Sequence, residues 1–358
     1  MSSDKAARRL KVHFLPFNKE NHYWGNLASH LSRHGVDVTE GGLLKDYPTR
    51  RTEREGGPDV LHLHWMPTFG HGAAGWRRLP SFLAHVARLR AGGHRFVWTA
   101  HNLYHGEAVL RAADRLATVL ATPFFSRIIV HAPTAEKLVR REFFVVSKEK
   151  FAVVPHGNYV GSYPDDVSRA EARARLGISA DAFVFVFLGH IRPYKGVEQL
   201  IDAFEETTER DARLVIAGKP LGDATMPALR ARVRSEGRVL FHDGFVPDER
   251  VQIYLRAADV MVVPYLQGLT SGAVILGMSF GLPCIAADVG CVPDMLDAAG
   301  GFLYARGRPD GLGRALREAM GARGRLVEMG AHNRRKAEAW SWDSVAERTA
   351  GVYREALR

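Results

Sequence analysis

Arg192 and Lys195 stand three residues apart in "LGHIRPYKGVEQLIDAF", just past Gly189 and just ahead of a helix-like run. The apolar stretch Phe183–Leu188 before them reads as a buried parallel strand. Gly189 ends that strand where a missing side chain lets backbone and ligand approach closely. A guanidinium fork, an ammonium point charge and the unpaired amides of a helix start together favour a phosphate. A second turn, in "PYLQGLTSGAVILGMSFGLP", sets Gly268, Thr270, Ser271 and Gly272 between a strand and a helix. Successive amides and two hydroxyls there suit an anion as well. Neither turn is a P-loop or a G-x-G-x-x-G fingerprint. Two anion-binding turns at strand ends suggest a diphosphate, so residue chemistry alone points to a nucleotide or a phosphorylated sugar.

Groups able to move protons gather earlier in the chain. His101 closes the strand-like "FVWTAH", and His105 and Glu107 follow in "HNLYHGE". Each is a candidate general base. His62, His64, His131 and His156 also lie at or near strand ends and read as structural histidines. Tyr23 follows the first strand, where a loop facing a cleft would let its ring stack against a ligand. No Asp/His cluster has metal-ligand spacing, so neither a metal nor another cofactor is expected. Cys284 and Cys291 fit no metal or redox motif and read as small buried residues.

Alternating strands and helices must position these groups. "RLKVHFLPF", "DVLHLHWMP", "RFVWTAHN", "RIIVHA" and "FAVVPHG" are strand-like and separated by helical stretches. A polar connection, "NYVGSYPDDVSRAEARARLGISADA", precedes a restart at "FVFVFLG", followed by "RLVIAGK", "VLFHDG", "DVMVVPY" and "PCIAADVG". The pattern implies an α/β protein with two doubly wound, Rossmann-like halves, residues 1–160 and 161–339, and a last amphipathic helix in 340–358. Ligands of such sheets bind outside the carboxyl ends of the strands, so a cleft between the halves is the expected site.

A chain of 358 residues, 46% hydrophobic and 25% charged, fits two ordinary globular domains and not disorder. No apolar h-region opens the sequence and no uninterrupted apolar span is long enough for a membrane helix, so a cytoplasmic protein is expected. Residues 1–160 hold 23 Lys and Arg against 13 Asp and Glu, and so carry the whole formal excess of +10. Such a field favours a phosphorylated substrate, anionic lipid or nucleic acid, but no nucleic-acid-binding signature accompanies it. In "GWRRLPSFLAHVARLR", Trp76, Leu79, Phe82, Leu83 and Val86 alternate with Arg77, Arg78, Arg88 and Arg90. That helix suits either peripheral contact with the inner face of a membrane or a core contact with a basic outer side.

Beyond these patterns the chain resembles the GT-B glycosyltransferases, most closely family 4 and its divergent exopolysaccharide-building members. The resemblance rests on "TAHN", "VVPHGNY", "LGHIRPYKGVEQLIDAF", "RLVIAGK", "VLFHDGFVPDERVQIYLRAADVMVVPY", "SGAVILGMSFGLPCIA" and "WSWDSVAERTAGVYREAL", in the family's order. It implies transfer of a sugar from a UDP- or GDP-linked donor to a saccharide or lipid-linked acceptor, without a metal. On matching positions it gives Arg192 and Lys195 the leaving diphosphate, and Phe245 and Val246 the base. Thr270, Ser271 and Gly272 take the phosphate, and His101 the donor sugar. It also implies that the last helix packs back on the first domain. The chain departs from the family at Gly268 and Leu276, where many members carry two glutamates, and at His190, where they carry arginine. Retaining and inverting chemistry therefore both stay open, as do a non-catalytic binding relative and a nucleotide-sugar epimerase.

Overall fold

The structure, a computed structural model, describes residues 8–16, 21–41, 57–69, 75–104, 111–221 and 226–358. Two compact units are present: residues 1–157 with 340–358, and residues 158–339. The sequence placed these boundaries at 160 and 339.

The described residues of the first unit form one sheet of six parallel strands. In chain order these are β1 (Leu10–Leu15), β2 (Val36–Glu40), β3 (Val60–Leu63), β4 (Arg95–Thr99), β5 (Arg127–Val130) and β6 (Phe151–Val153), arranged β2-β1-β3-β4-β5-β6. Strand pairs His62↔Val97, Thr99↔Ile129 and Val130↔Val153 bring the carboxyl ends of β3 to β6 side by side. Helix Trp342–Leu357 closes this unit. Its buried stripe, Trp342, Val345, Ala346, Thr349, Ala350, Tyr353 and Ala356, recurs at helical spacing. Ser341 caps it, and Arg354 donates to the His34 carbonyl at 2.7 Å. Tyr353 is wholly buried and joins Trp24, Leu27 and Leu31 in the core. The last helix is thus part of the first unit's core, a burial that stabilises by roughly 1.5–3 kcal/mol per large apolar side chain.

The second unit is built the same way from β7 (Phe183–Leu188), β8 (Ala212–Gly218), β9 (Val239–Asp243), β10 (Val260–Val263), β11 (Cys284–Ala287) and β12 (Gly301–Tyr304), arranged β12-β11-β10-β7-β8-β9. All six residues of β7 are buried, because it lies between β10 and β8 and both its faces are covered. Asp259 ties the starts of β7 and β10 together. It accepts from the Val184 amide at 2.7 Å and from Arg173 at 2.9 Å.

The helix Leu79–Ala91 turns Leu79, Val86 and Leu89 into the core, and Phe82 and Leu83 pack against Phe69, Leu79 and Ala117. Its large apolar residues are therefore buried or half-buried against neighbours. Only Trp76, just before the helix, is strongly exposed, with Arg77 beside its ring. Of the two readings of this stretch, the packing favours the core contact with a basic outer side. Among the described residues no helix is long and apolar enough to cross a membrane.

Candidate functional site

At the carboxyl end of β7 the chain passes through Gly189, whose φ of 141° is a conformation that favours glycine. Beside it, a Cβ on Gly218 would lie 1.9 Å from the Gly189 carbonyl oxygen, so the two strand ends touch at backbone level. Arg192 begins the 3-10 turn Pro193–Lys195, and the Lys195 amide donates to the Arg192 carbonyl at 2.9 Å. Gly196 then adopts a φ of 68°, and a Cβ there would lie 2.1 Å from the Pro264 carbonyl oxygen. The Leu266 amide donates to the Tyr194 carbonyl at 2.8 Å. These contacts stitch the basic loop to the exit of β10.

Lys195 turns back toward the strand end. Its Nζ donates to the Tyr265 hydroxyl at 2.8 Å and lies 3.6 Å from where a Gly189 Cβ would sit. Burial alone would lower the pKa of this ammonium, but its contacts with Tyr265 outweigh that and raise it, so Lys195 is charged. Among the described residues Lys195 pairs with no carboxylate. Arg192 is half-buried nearby. Burial and the neighbouring charges of Lys195, Arg192 and Lys219 lower the pKa of His190. The charges that act on His190 are all positive.

The 268–272 turn opens helix Gly272–Ser279. It is held from behind, where the Cys291 amide donates to the Leu269 carbonyl at 2.8 Å. Ser271 is the helix cap, its hydroxyl accepting from the Val274 amide at 3.3 Å. The Thr270 Oγ1 is buried and has no hydrogen-bond partner among the described residues. A Cβ at Gly272 would come within 3.1 Å of the Tyr159 hydroxyl. A helix start and a buried, partnerless hydroxyl are the features of an anion site. At the ends of β8 and β9 a groove of about 590 Å³ is lined by Lys219, Pro220, Met226, Arg230, Asp243 and Phe245 among others. Phe245 is 71% exposed there, while Val246 is half-buried outside the lining. Arg230 is ion-paired with Asp243 at this groove.

In the first unit the carboxyl ends of β3 to β6 bring five buried histidines together: His62, His64, His101, His131 and His156. The His64 Nδ1 lies 3.3 Å from the His101 Nε2, and the His101 Nδ1 lies 3.2 Å from the His131 Nε2. His131 Nδ1–H donates to the Val154 carbonyl at 2.9 Å. His62 bonds the Tyr353 and Thr99 hydroxyls, each at 2.7 Å. Burial, reinforced by neighbouring imidazoles, lowers His62 and His156 to about 3 and takes His64 and His101 well below 6.5. Burial brings His131 to about 4, against a partial offset from the Val154 carbonyl. All five are neutral near pH 7. Among the described residues no group of three or more His, Cys, Asp or Glu side chains is placed to hold a metal ion.

A family model described as "Glycosyl transferases group 1" matches residues 182–321, the span that carries the basic loop and the 268–272 turn. The D-inositol 3-phosphate glycosyltransferase of Nocardia farcinica is 32% identical over 316 residues, covering 84% of this chain and 67% of that protein. The chain belongs to this glycosyltransferase family. The protein of the same name from Streptomyces griseus is 34% identical over 227 residues, 59% of this chain and 48% of that one. Against it and the Streptomyces bingchenggensis relative, the chain spans about half the relative's length, 48% and 55%. In fold, the chain is like sucrose-phosphate synthase from Thermosynechococcus elongatus, with a TM-score of 0.76 over 97% of this chain and 98% of that one at 18% identity. Its two parallel six-stranded sheets are of the GT-B type.

In this family member the second unit brings Gly189, Lys195 and the exit of β10 together, with Arg192 at the start of the same loop. Phe245 lies on the neighbouring groove. Tyr23 requires correction: it sits in helix His22–Leu31, 4% exposed, not in a loop open to a sugar. Its ring is enclosed by His64, His101, His131, His156 and Trp342, at centroid distances of 4.7 to 5.8 Å. His101 is 8% exposed with both ring nitrogens engaged by other histidines, so a sugar contact needs one of those bonds to open. His105 and Glu107 lie outside the described residues. Residue-by-residue reading missed Tyr265, the partner of Lys195, and the convergence of the histidines. The signal for the latter was present, since "LHLH", "TAH", "VH" and "PH" each end a strand-like run.

Proposed function

We propose that the protein transfers a glycosyl group from a UDP- or GDP-linked sugar to an acceptor hydroxyl. The observation that carries this reading is Lys195, a charged ammonium turned back on a strand end and pairing with no described carboxylate. A part-buried cation without a counter-ion gains when an anion completes the site. In glycosyl transfer the bond from the anomeric carbon to the leaving phosphate oxygen breaks, and negative charge gathers on the diphosphate. Lys195, Arg192 and the amides at Gly272 are the groups to meet that charge, and Thr270 Oγ1 has a free proton to donate. The groove beside Phe245 suits the base. The acceptor proton passes to the leaving diphosphate in a retaining reaction, or to a base such as His101 in an inverting one.

The name shared by the relatives favours an anionic acceptor, and the positive excess of residues 1–160 agrees with it. A phosphorylated polyol or saccharide, free or lipid-linked, fits. The lipid-linked case would place the protein at the cytoplasmic face of the membrane, in envelope polysaccharide synthesis. Release of nucleoside diphosphate from a panel of UDP- and GDP-sugars tests the reading, with inositol phosphate or membrane extract as acceptor. Turnover with at least one donor, abolished in Lys195→Ala and reduced in Arg192→Ala, is expected. Binding without turnover for every combination would instead make this a non-catalytic binding relative.

A further inference from the structure

The three central histidines form a chain whose proton order is set from one end. A carbonyl oxygen only accepts, so the proton of neutral His131 lies on Nδ1, facing Val154. Its Nε2 then holds a lone pair, and the His101 Nδ1 opposite, at 3.2 Å, must carry the hydrogen. The His101 Nε2 is consequently bare, and His64 donates to it from Nδ1 at 3.3 Å. The chain ends at the His64 Nε2, which is buried and has no partner among the described residues. The opposite order would set a bare His131 Nδ1 against the Val154 carbonyl oxygen, two acceptors with no hydrogen between them, or would place a cation inside a buried cluster. The ring plane is fixed separately. Trp65 stacks on His101 with centroids 4.7 Å apart, and Tyr23 meets it edge-on at 4.7 Å.

We infer that His131, anchored on the Val154 carbonyl, is a positioning residue that holds His101 as the Nδ1–H tautomer and so makes its Nε2 a hydrogen-bond acceptor. His64 occupies that nitrogen through a long, replaceable bond. This rests on the reading above that His101 meets the donor sugar, and it adds a direction: a sugar hydroxyl at His101 donates its proton and displaces His64. The control is asymmetric. His131 dictates the tautomer; His64 only follows it.

Tautomers are read directly from imidazole 15N shifts in the full-length, histidine-labelled protein, with no donor present and His101 assigned by its loss in His101→Asn. The wild type is expected to show His101 with a protonated Nδ1 and a bare Nε2. His64→Leu should leave that state intact. His131→Leu should move His101 toward the Nε2–H form and lower kcat/KM for the donor by about tenfold, the worth of one neutral hydrogen bond. His131→Gln, which keeps an acceptor oxygen opposite the His101 Nδ1, should restore both. An Nε2–H His101 in the wild type would overturn the inference without any variant, as would a tautomer indifferent to His131→Leu in a folded protein. Because the spectrum needs no turnover, a failure of the glycosyl-transfer reading is seen separately, in the donor assay.

Discussion

The two units share one architecture and carry opposite chemistry at the carboxyl edges of their sheets. In the first, four neutral imidazoles close around Tyr23 and three of them bond to one another, with the His64 Nε2 as the open end. In the second, the same edge of a like sheet gathers Arg192, Lys195, Lys219 and a helix start, with the Thr270 hydroxyl unsatisfied. A parallel sheet fixes where side chains converge; residue types decide whether the convergence is complete in itself or awaits a ligand. The second unit is the one left incomplete in charge.

The largest effect that would sharpen this contrast comes from Lys195→Ala. Removing the ammonium should lower turnover by about 10²- to 10³-fold, the usual cost of losing one preorganised group that meets developing charge. The melting temperature of the unliganded protein should change little, because the site loses an uncompensated charge. A steady-state assay beside a thermal melt checks both halves. Unchanged turnover would erase the distinction between the two edges.

Acid should break the units in a set order. The folded pKa values of His62, His131 and His156 are about 3 to 4, below the unfolded value near 6.5. Between these limits the unfolded chain binds more protons than the folded one. Stability conferred by the neutral cluster is therefore full above pH 6.5 and falls as pH drops toward 3, by up to about 1.4 kcal/mol per histidine per pH unit. The second unit has only His190, His242 and His332, all at least partly exposed. All six tryptophans, Trp24, Trp65, Trp76, Trp98, Trp340 and Trp342, belong to the first unit. Their fluorescence should report unfolding at a higher pH than circular dichroism of the whole chain. Coincident transitions would contradict the proposed asymmetry.

Thr270→Val gives the smallest effect and the most selective one. The Oγ1 loses no described hydrogen bond, so stability should stay within about 1 kcal/mol of wild type or rise. Donor affinity should fall by about tenfold, one hydrogen bond to phosphate. Calorimetric titration separates this from a folding defect.

Much of the second unit's edge was legible in the chain because its parts are local. Phe183–Leu188 runs straight into Gly189, Arg192 and Lys195, and the 268–272 turn sits between its own strand and helix. The pairing of Lys195 with Tyr265 was not legible. It depends on β10 lying beside β7, a neighbour relation that local pattern does not encode. The first unit's edge was harder for the same reason. His62, His101 and His131 each look like isolated strand-end residues, and only the β3-β4-β5-β6 order makes them neighbours. Tyr23 was misplaced because the helix begins at His22, capped by Asn21, sooner after β1 than a loop reading allows.

The most direct test of the incomplete-edge account is calorimetric titration of UDP and of GDP into the wild-type protein and into Lys195→Ala. The account predicts saturable binding of at least one nucleoside diphosphate to the wild type, weakened by about 10²-fold or more in the variant and by added salt. Equal affinity in the two proteins, or no binding of either nucleotide to the wild type, would contradict it.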